Sequence, residues 1–114
     1  MPKKRHPAPP HLAPETAGWW SDVVENFVLE GHHLRLLTLA AEAYDRCQQA
    51  RAEIARDGLT VPTGDGGLKA HPAVAIERDA RLAFARLVRE LDLDAEPAPD
   101  RSRPPALRSN RRGS

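Results

Sequence analysis

The chain has 114 residues, with 17 lysines and arginines against 16 aspartates and glutamates, 11 prolines, seven glycines and a single cysteine. That length bounds it to at most one domain, and one cysteine excludes an internal disulfide and makes a reducing interior the default. No run of about 18 apolar residues occurs and the N-terminus lacks an apolar signal core, so a soluble, intracellular protein is expected rather than a membrane-spanning or secreted one.

The net charge of +1 hides an asymmetry. The N-terminal stretch carries Lys3, Lys4 and Arg5 with no acid, and the C-terminal stretch carries Arg101, Arg103, Arg108, Arg111 and Arg112 against Asp94, Glu96 and Asp100. The body between them, Leu12–Leu93, has nine basic and thirteen acidic side chains. Basic ends on a mildly acidic body suit contact with a polyanion, although the same ends can serve solubility alone. Nine of the eleven prolines also fall in the two ends. Polar, Pro-rich chain cannot bury enough apolar surface to offset its ordering entropy. The expected organisation is therefore a disordered basic arm over 1–11, a helical domain over 12–93 and a disordered Pro/Arg-rich tail over 94–114. A body of about 80 residues is near the limit at which one core is stable alone, so oligomerisation is expected to help.

Taken in order, the PKKR start is a short basic patch of the kind that meets nucleic acid, though a weak signal by itself. The first helix is predicted from about 14 to 28. Pro14 suits a first helical position and Glu15 favours the positive end of the dipole. Trp20, Val23, Val24, Phe27 and Val28 then recur at helical spacing. Trp19 and Trp20 are adjacent and cannot both face inward; one is expected inside, the other at an edge or interface. Tryptophans can stack on unpaired bases, but on an apolar helical stripe they are more often core.

After a break at Leu29–Gly31, a second helix is predicted over about 32–56. Leu36, Leu37, Leu39, Ala40, Ala43, Tyr44, Cys47, Ala50 and Ile54 form one stripe covering less than half its circumference. The alanines in the stripe let another helix approach closely. Asp57–Pro72 then holds four of the seven glycines. No helix runs through it, since glycine costs roughly 1 kcal/mol per position and proline about 3. The chain must reverse here, through a small β-hairpin of Leu59–Val61 and Leu68–Ala70 or through a plain glycine loop. A third helix is predicted over about 72–91, antiparallel to the second. Ile76, Ala80, Ala83, Phe84, Leu87 and Leu91 line one face, and Arg78, Arg81, Arg86 and Arg89 fall within about 140° on the other. That stripe is either an ordinary solvated face or a surface that meets phosphates. The fold class expected is mainly α: three helices, an antiparallel helix pair, and basic tails.

Catalytic chemistry finds no constellation. TGDGGLK lacks the spacing and the hydroxyl of a phosphate-binding loop. His32 and His33 point apart on a helix and Cys47 sits in the apolar stripe, so no metal site is expected. His71, before Pro72, shapes a turn. The carboxylates are scattered along helices as surface charges. No enzyme activity, cofactor or metal is expected.

Trp19-Trp20, the Ala-Tyr-Asp-Arg run at Ala43–Arg46, the Asp57-Gly58-Leu59 turn, and a helix opened by His71-Pro72 and ended by RELDL occur in this order. With that spacing the chain resembles the small terminase subunits of tailed phages, in the family paired with large terminases of the cohesive-end packaging type. The resemblance spans roughly Leu12–Leu93, and SRPPALRSNRRG resembles tails seen in members from actinobacterial phages. It implies a non-enzymatic packaging factor in the host cytoplasm. Such a factor forms a homo-oligomeric ring with a tunnel, binds double-stranded viral DNA, and recruits or regulates the large terminase, which holds the ATPase and nuclease. Many members carry a separate helix-turn-helix domain, whereas the residues before the second helix here leave room for one helix, so phosphate-dominated binding is expected.

The residues expected at DNA are Lys3, Lys4, Arg5, Lys69, Arg78, Arg81, Arg86 and Arg89. Those expected in the core or between subunits are Trp19, Trp20, Leu36, Ala40, Tyr44 and Phe84. Two alternatives stay open at this stage: a dimeric regulator using the first two helices as a degenerate helix-turn-helix, and a helical interaction adaptor without nucleic acid.

Overall fold

A computed structural model describes residues 6–93. Its elements run α1 (Pro14–Asn26), α2 (Gly31–Asp57), β1 (Thr60–Pro62), β2 (Leu68–Ala70) and α3 (Pro72–Leu91). The chain is mainly helical, as the periodicity predicts. Lys3, Lys4, Arg5 and the 94–114 tail lie outside the described residues, and so do the expectations of disorder placed on them.

The framework is the α2–α3 pair. Contacts descend one helix as they climb the other: His71 meets Asp57, Glu77 meets Arg51, Phe84 meets Tyr44, and Leu91 joins the cluster of Leu37 and Ala41. The pair is therefore antiparallel. Ala40, Ala41 and Ala50 of α2 and Ala73 and Ala80 of α3 are all buried, and their small side chains let the two backbones approach. At the end away from the hairpin, α1 adds Trp20 and Val23 to a core cluster with Leu12, Leu37, Ala41 and Leu91.

Two polar contacts fix α1. Ala13 precedes its first turn and offers no side-chain cap. Asp45 of α2 supplies one instead: its carboxylate accepts from the Ala13 amide at 2.8 Å and from the Thr16 hydroxyl at 2.6 Å. A carboxylate at the positive end of a helix is also favoured by the macrodipole. Deeper in, the Trp20 indole Nε1–H donates to Thr38 Oγ1 at 3.2 Å, which satisfies the one polar atom of a buried ring. The described part of the N-terminal arm is held as well. Ala8 packs against the core, and His11 Nε2 donates to Glu42 Oε2 at 2.8 Å.

The helix ends differ slightly from the periodic pattern. α1 stops at Asn26, two residues before the apolar stripe ends, and Phe27 is extended with φ −132°. The Asn26 side chain donates to the Asp22 carbonyl, and Val28, 97% exposed, has no surface to pack on. Burial rather than periodicity thus sets this end. α2 begins at Gly31, where His33 Nδ1 accepts from the Glu30 amide at 3.0 Å.

Asp57–Pro72 forms the hairpin rather than the plain loop. Thr60 faces Ala70, Val61 faces Lys69 and Pro62 faces Leu68, antiparallel. In the turn, the Asp65 carboxylate accepts from the Thr63 hydroxyl and from the Gly67 amide, and Gly66 takes φ +94°, which glycine adopts at little cost. A two-stranded hairpin is marginal alone, and His71 anchors its base. The His71 amide donates to the Leu59 carbonyl at 2.8 Å. Its Nδ1 accepts from the Ala73 amide at 3.0 Å, capping α3, so the proton sits on Nε2, which donates to Asp57 Oδ2 at 2.9 Å. One buried imidazole thereby joins the last residue of α2 to the first turn of α3.

His71→Ala is expected to cost about 1 kcal/mol, the usual worth of a lost N-cap. That lowers the thermal midpoint by roughly 4–8 °C in a domain of this size. His71→Asn, which retains a cap acceptor, should recover part of the loss in circular-dichroism melts. Equal midpoints for wild type and His71→Ala would contradict the clasp.

Candidate nucleic-acid interface

The third helix presents its arginines to solvent because its other face is spent on α2. Ala73, Ala80 and Leu91 are buried, Ala83, Phe84 and Leu87 are half-buried, and Arg78, Arg81, Arg86 and Arg89 are all exposed. Arg78 and Arg89 are eleven positions apart, about 16 Å along the axis.

The stripe is not uniform. Arg78 Nε lies 3.2 Å from Asp79, and Arg81 Nε lies 3.4 Å from Glu77, one turn earlier. Arg86 and Arg89 have no ion-pair partner among the described residues. Positive charge is thus least compensated in the C-terminal half of α3. Lys69 is exposed in the middle of β2, beyond the N-terminal end of α3 and away from Arg89. The structure therefore does not gather the predicted DNA residues into one patch. Four lie along α3, Lys69 stands apart on the hairpin, and Lys3, Lys4 and Arg5 are outside the described residues.

Among the residues expected in the core or between subunits, Trp20 and Ala40 are buried. Trp19, Leu36, Tyr44 and Phe84 are half-buried and retain exposed surface.

Sequence reasoning missed Glu77, taking it for a surface charge. Glu77 Oε2 instead accepts from Arg51 Nε at 3.1 Å, Arg81 Nε at 3.4 Å and Cys47 Sγ at 3.5 Å. The Arg51 guanidinium, then Cys47 and Arg81, hold the Glu77 carboxyl below its ordinary range. Burial, followed by the Glu77 carboxylate, pushes the Cys47 thiol up, which disfavours a nucleophilic thiolate. Asp57 is likewise held well below the usual carboxylate range, by Arg56 first and His71 second. The only sequence signal for the Glu77 group was the placement of Arg51, Cys47 and Glu77 on facing stripes, which no local pattern reveals.

The sign of the pH dependence follows. A carboxyl whose folded pKa lies below its unfolded value of about 4 contributes stability that is complete above that value and is lost as pH falls through the folded one. The thermal midpoint should stay level from about pH 7 to 5 with respect to these two groups and decline below about pH 4. Glu77→Gln and Asp57→Asn should each flatten the acid limb. Both carboxylates are partly solvated, so the change is modest.

Each run that carried the family resemblance has a definite place. Trp20 is core and Trp19 lies against Phe84. In the Ala43–Arg46 run, Tyr44 also meets Phe84 and Asp45 caps α1. In Asp57-Gly58-Leu59, Asp57 receives His71 and Gly58, at φ +91°, ends α2. His71-Pro72 caps and opens α3. A family model described as phage terminase, small subunit, matches residues 19–103. The chain belongs to this family. Its role is in phage DNA packaging, and terminase small subunits are generally non-catalytic. No curated protein and no solved structure matches the chain. Among the described residues, no helix is long and apolar enough to cross a membrane.

Proposed function

We infer that the chain is a ring-forming subunit that engages double-stranded viral DNA through phosphate contacts and recruits or regulates the large terminase in the host cytoplasm. The observation that carries this reading is the family match over residues 19–103. The solvent-facing arginines of α3, uncompensated at Arg86 and Arg89, supply a surface suited to a phosphate backbone. A body of this size with half-buried rings and exposed Leu39, Ile76 and Leu82 has apolar surface to place between copies. The reading as a helix-turn-helix regulator fits less well. α2 has 27 residues, about 40 Å, and its middle is covered at Leu37, Ala40 and Ala41.

The test joins native mass spectrometry to fluorescence anisotropy on duplex DNA at stepped salt. A ring stoichiometry, with an affinity that falls steeply as salt rises, is the expected result. A monomer without DNA affinity at low salt overturns the reading, and a two-fold dimer with a sequence-specific footprint replaces it with the regulator.

A further inference from the structure

Where α1 crosses the α2–α3 pair, Glu15, Thr16, Trp19, Tyr44 and Phe84 line a pocket of about 220 Å³. Each helix contributes one ring. Phe84 of α3 lies 5.8 Å from Trp19 of α1 at 55°, and 5.4 Å from Tyr44 of α2 at 56°. Rings tilted in this way form a corner rather than a stack, and all three are half-buried, so part of each ring stays open to an incoming group. The Thr16 hydroxyl is committed to Asp45. The Glu15 carboxylate, one turn before Trp19, stands at the rim with no ion-pair partner among the described residues. The volume is below the roughly 300–1,000 Å³ of small-molecule sites, so the pocket fits one or two side chains rather than a nucleotide or cofactor.

The chemistry selects the occupant. Aromatic faces attract guanidinium groups, and aromatic-lined grooves receive proline-rich segments. A carboxylate at the rim accepts a charge-assisted hydrogen bond from arginine. The chain carries this combination itself, as Arg103-Pro104-Pro105. Charge is complementary as well: residues 101–112 hold five arginines and no acid, while Leu12–Leu93 has thirteen acidic and nine basic side chains. Reach is sufficient. The described chain ends at Leu93, which packs against the same cluster as Trp19. Ten residues from there to Arg103 span up to about 33 Å. Phe84 lies nine residues back along α3, about 13 Å.

We propose that the Trp19–Tyr44–Phe84 pocket, with Glu15 at its rim, is the docking site for the Arg103-Pro104-Pro105 stretch of the same chain. Docking holds the arginine-rich segment on the body, and a polyanion or protein that takes up the segment must first displace it.

The test compares the full chain with the triple variant Arg103→Ala/Pro104→Ala/Pro105→Ala, whose changes lie outside the described fold. Trp19 is the accessible tryptophan and Trp20 the buried one, so acrylamide quenching of tryptophan fluorescence reads the pocket. The expected result is stronger quenching in the triple variant. A fluorescein-labelled peptide of residues 98–110 should bind that variant saturably and restore protection, and Glu15→Gln should weaken the peptide roughly two- to five-fold, the share of an exposed ion pair. Equal quenching in the two chains, with no saturable peptide binding, overturns the proposal. A quenching difference that vanishes on dilution overturns the placement within one chain and makes a second copy the donor.

Discussion

Leu37→Ala lowers the stability of the isolated domain by about 2–5 kcal/mol. Leu37 has no exposed surface and is the largest fully buried side chain among the described residues. It sits where all three helices meet, against Trp20 and Val23 of α1 and Leu91 of α3. Truncation removes the transfer energy of the lost methyl groups and leaves a cavity that three crossing helices cannot close together. For a body of roughly 80 residues the thermal midpoint should fall by about 10–30 °C. That is a large share of the 5–15 kcal/mol typical of a whole domain, so much of the protein should be unfolded at 37 °C. Leu39→Ala, two residues along the same helix but 51% exposed, should stay within about 0.5 kcal/mol of wild type. Circular-dichroism melts at low protein concentration give the comparison, because assembly stabilises the folded state by mass action and would mask the difference. Equal midpoints for the two variants would show that the core is not where the structure places it.

The paired variant Arg86→Ala/Arg89→Ala weakens duplex DNA binding by roughly 50-fold at about 0.1 M salt, if each arginine contributes one phosphate contact per subunit. The salt slope should fall by about one for each contact removed. Arg78→Ala/Arg81→Ala should have the smaller effect, because Asp79 and Glu77 already draw on those two guanidinium groups. Anisotropy titrations at four or five salt concentrations give both the affinity and the slope. If the Arg78/Arg81 pair dominates, the compensating carboxylates are turned away in the DNA complex and the assignment along α3 must be reversed. If neither pair changes the slope, the α3 face is an ordinary solvated surface and the tunnel reading fails with it.

Legibility varied from element to element. α3 was readable end to end, since Pro72 opens it, Leu91 closes its apolar stripe, and an uninterrupted period of 3.6 lies between. The end of α1 was less legible, because Phe27 and Val28 continue the pattern while finding nothing to cover them. The arginine stripe was legible as a face. Its division into compensated and uncompensated halves required the positions of Asp79 and Glu77 side chains, which the period does not supply. Asp45 was quoted within a family-like run, but its task of capping α1 from 29 residues away cannot be seen in any window of sequence. The meeting of Trp19, Tyr44 and Phe84 is of the same kind, since each ring comes from a different helix.

The Asp57–Pro72 stretch separates the two contributions most clearly. By itself, the sequence determined that three helices form, that the chain reverses between the second and third, and which face of each helix is apolar. These are local properties, set by glycine and proline conformational costs and by the spacing of apolar side chains. Only the tertiary structure decided that the reversal is a hairpin, that His71 and Asp57 clasp its base, that Glu77 joins Arg51 and Arg81 across the pair, and that three rings meet in one pocket. Each of those depends on groups far apart in the chain coming within about 3–6 Å, and that proximity is fixed by how closely alanine-rich helices approach rather than by any residue's own preference.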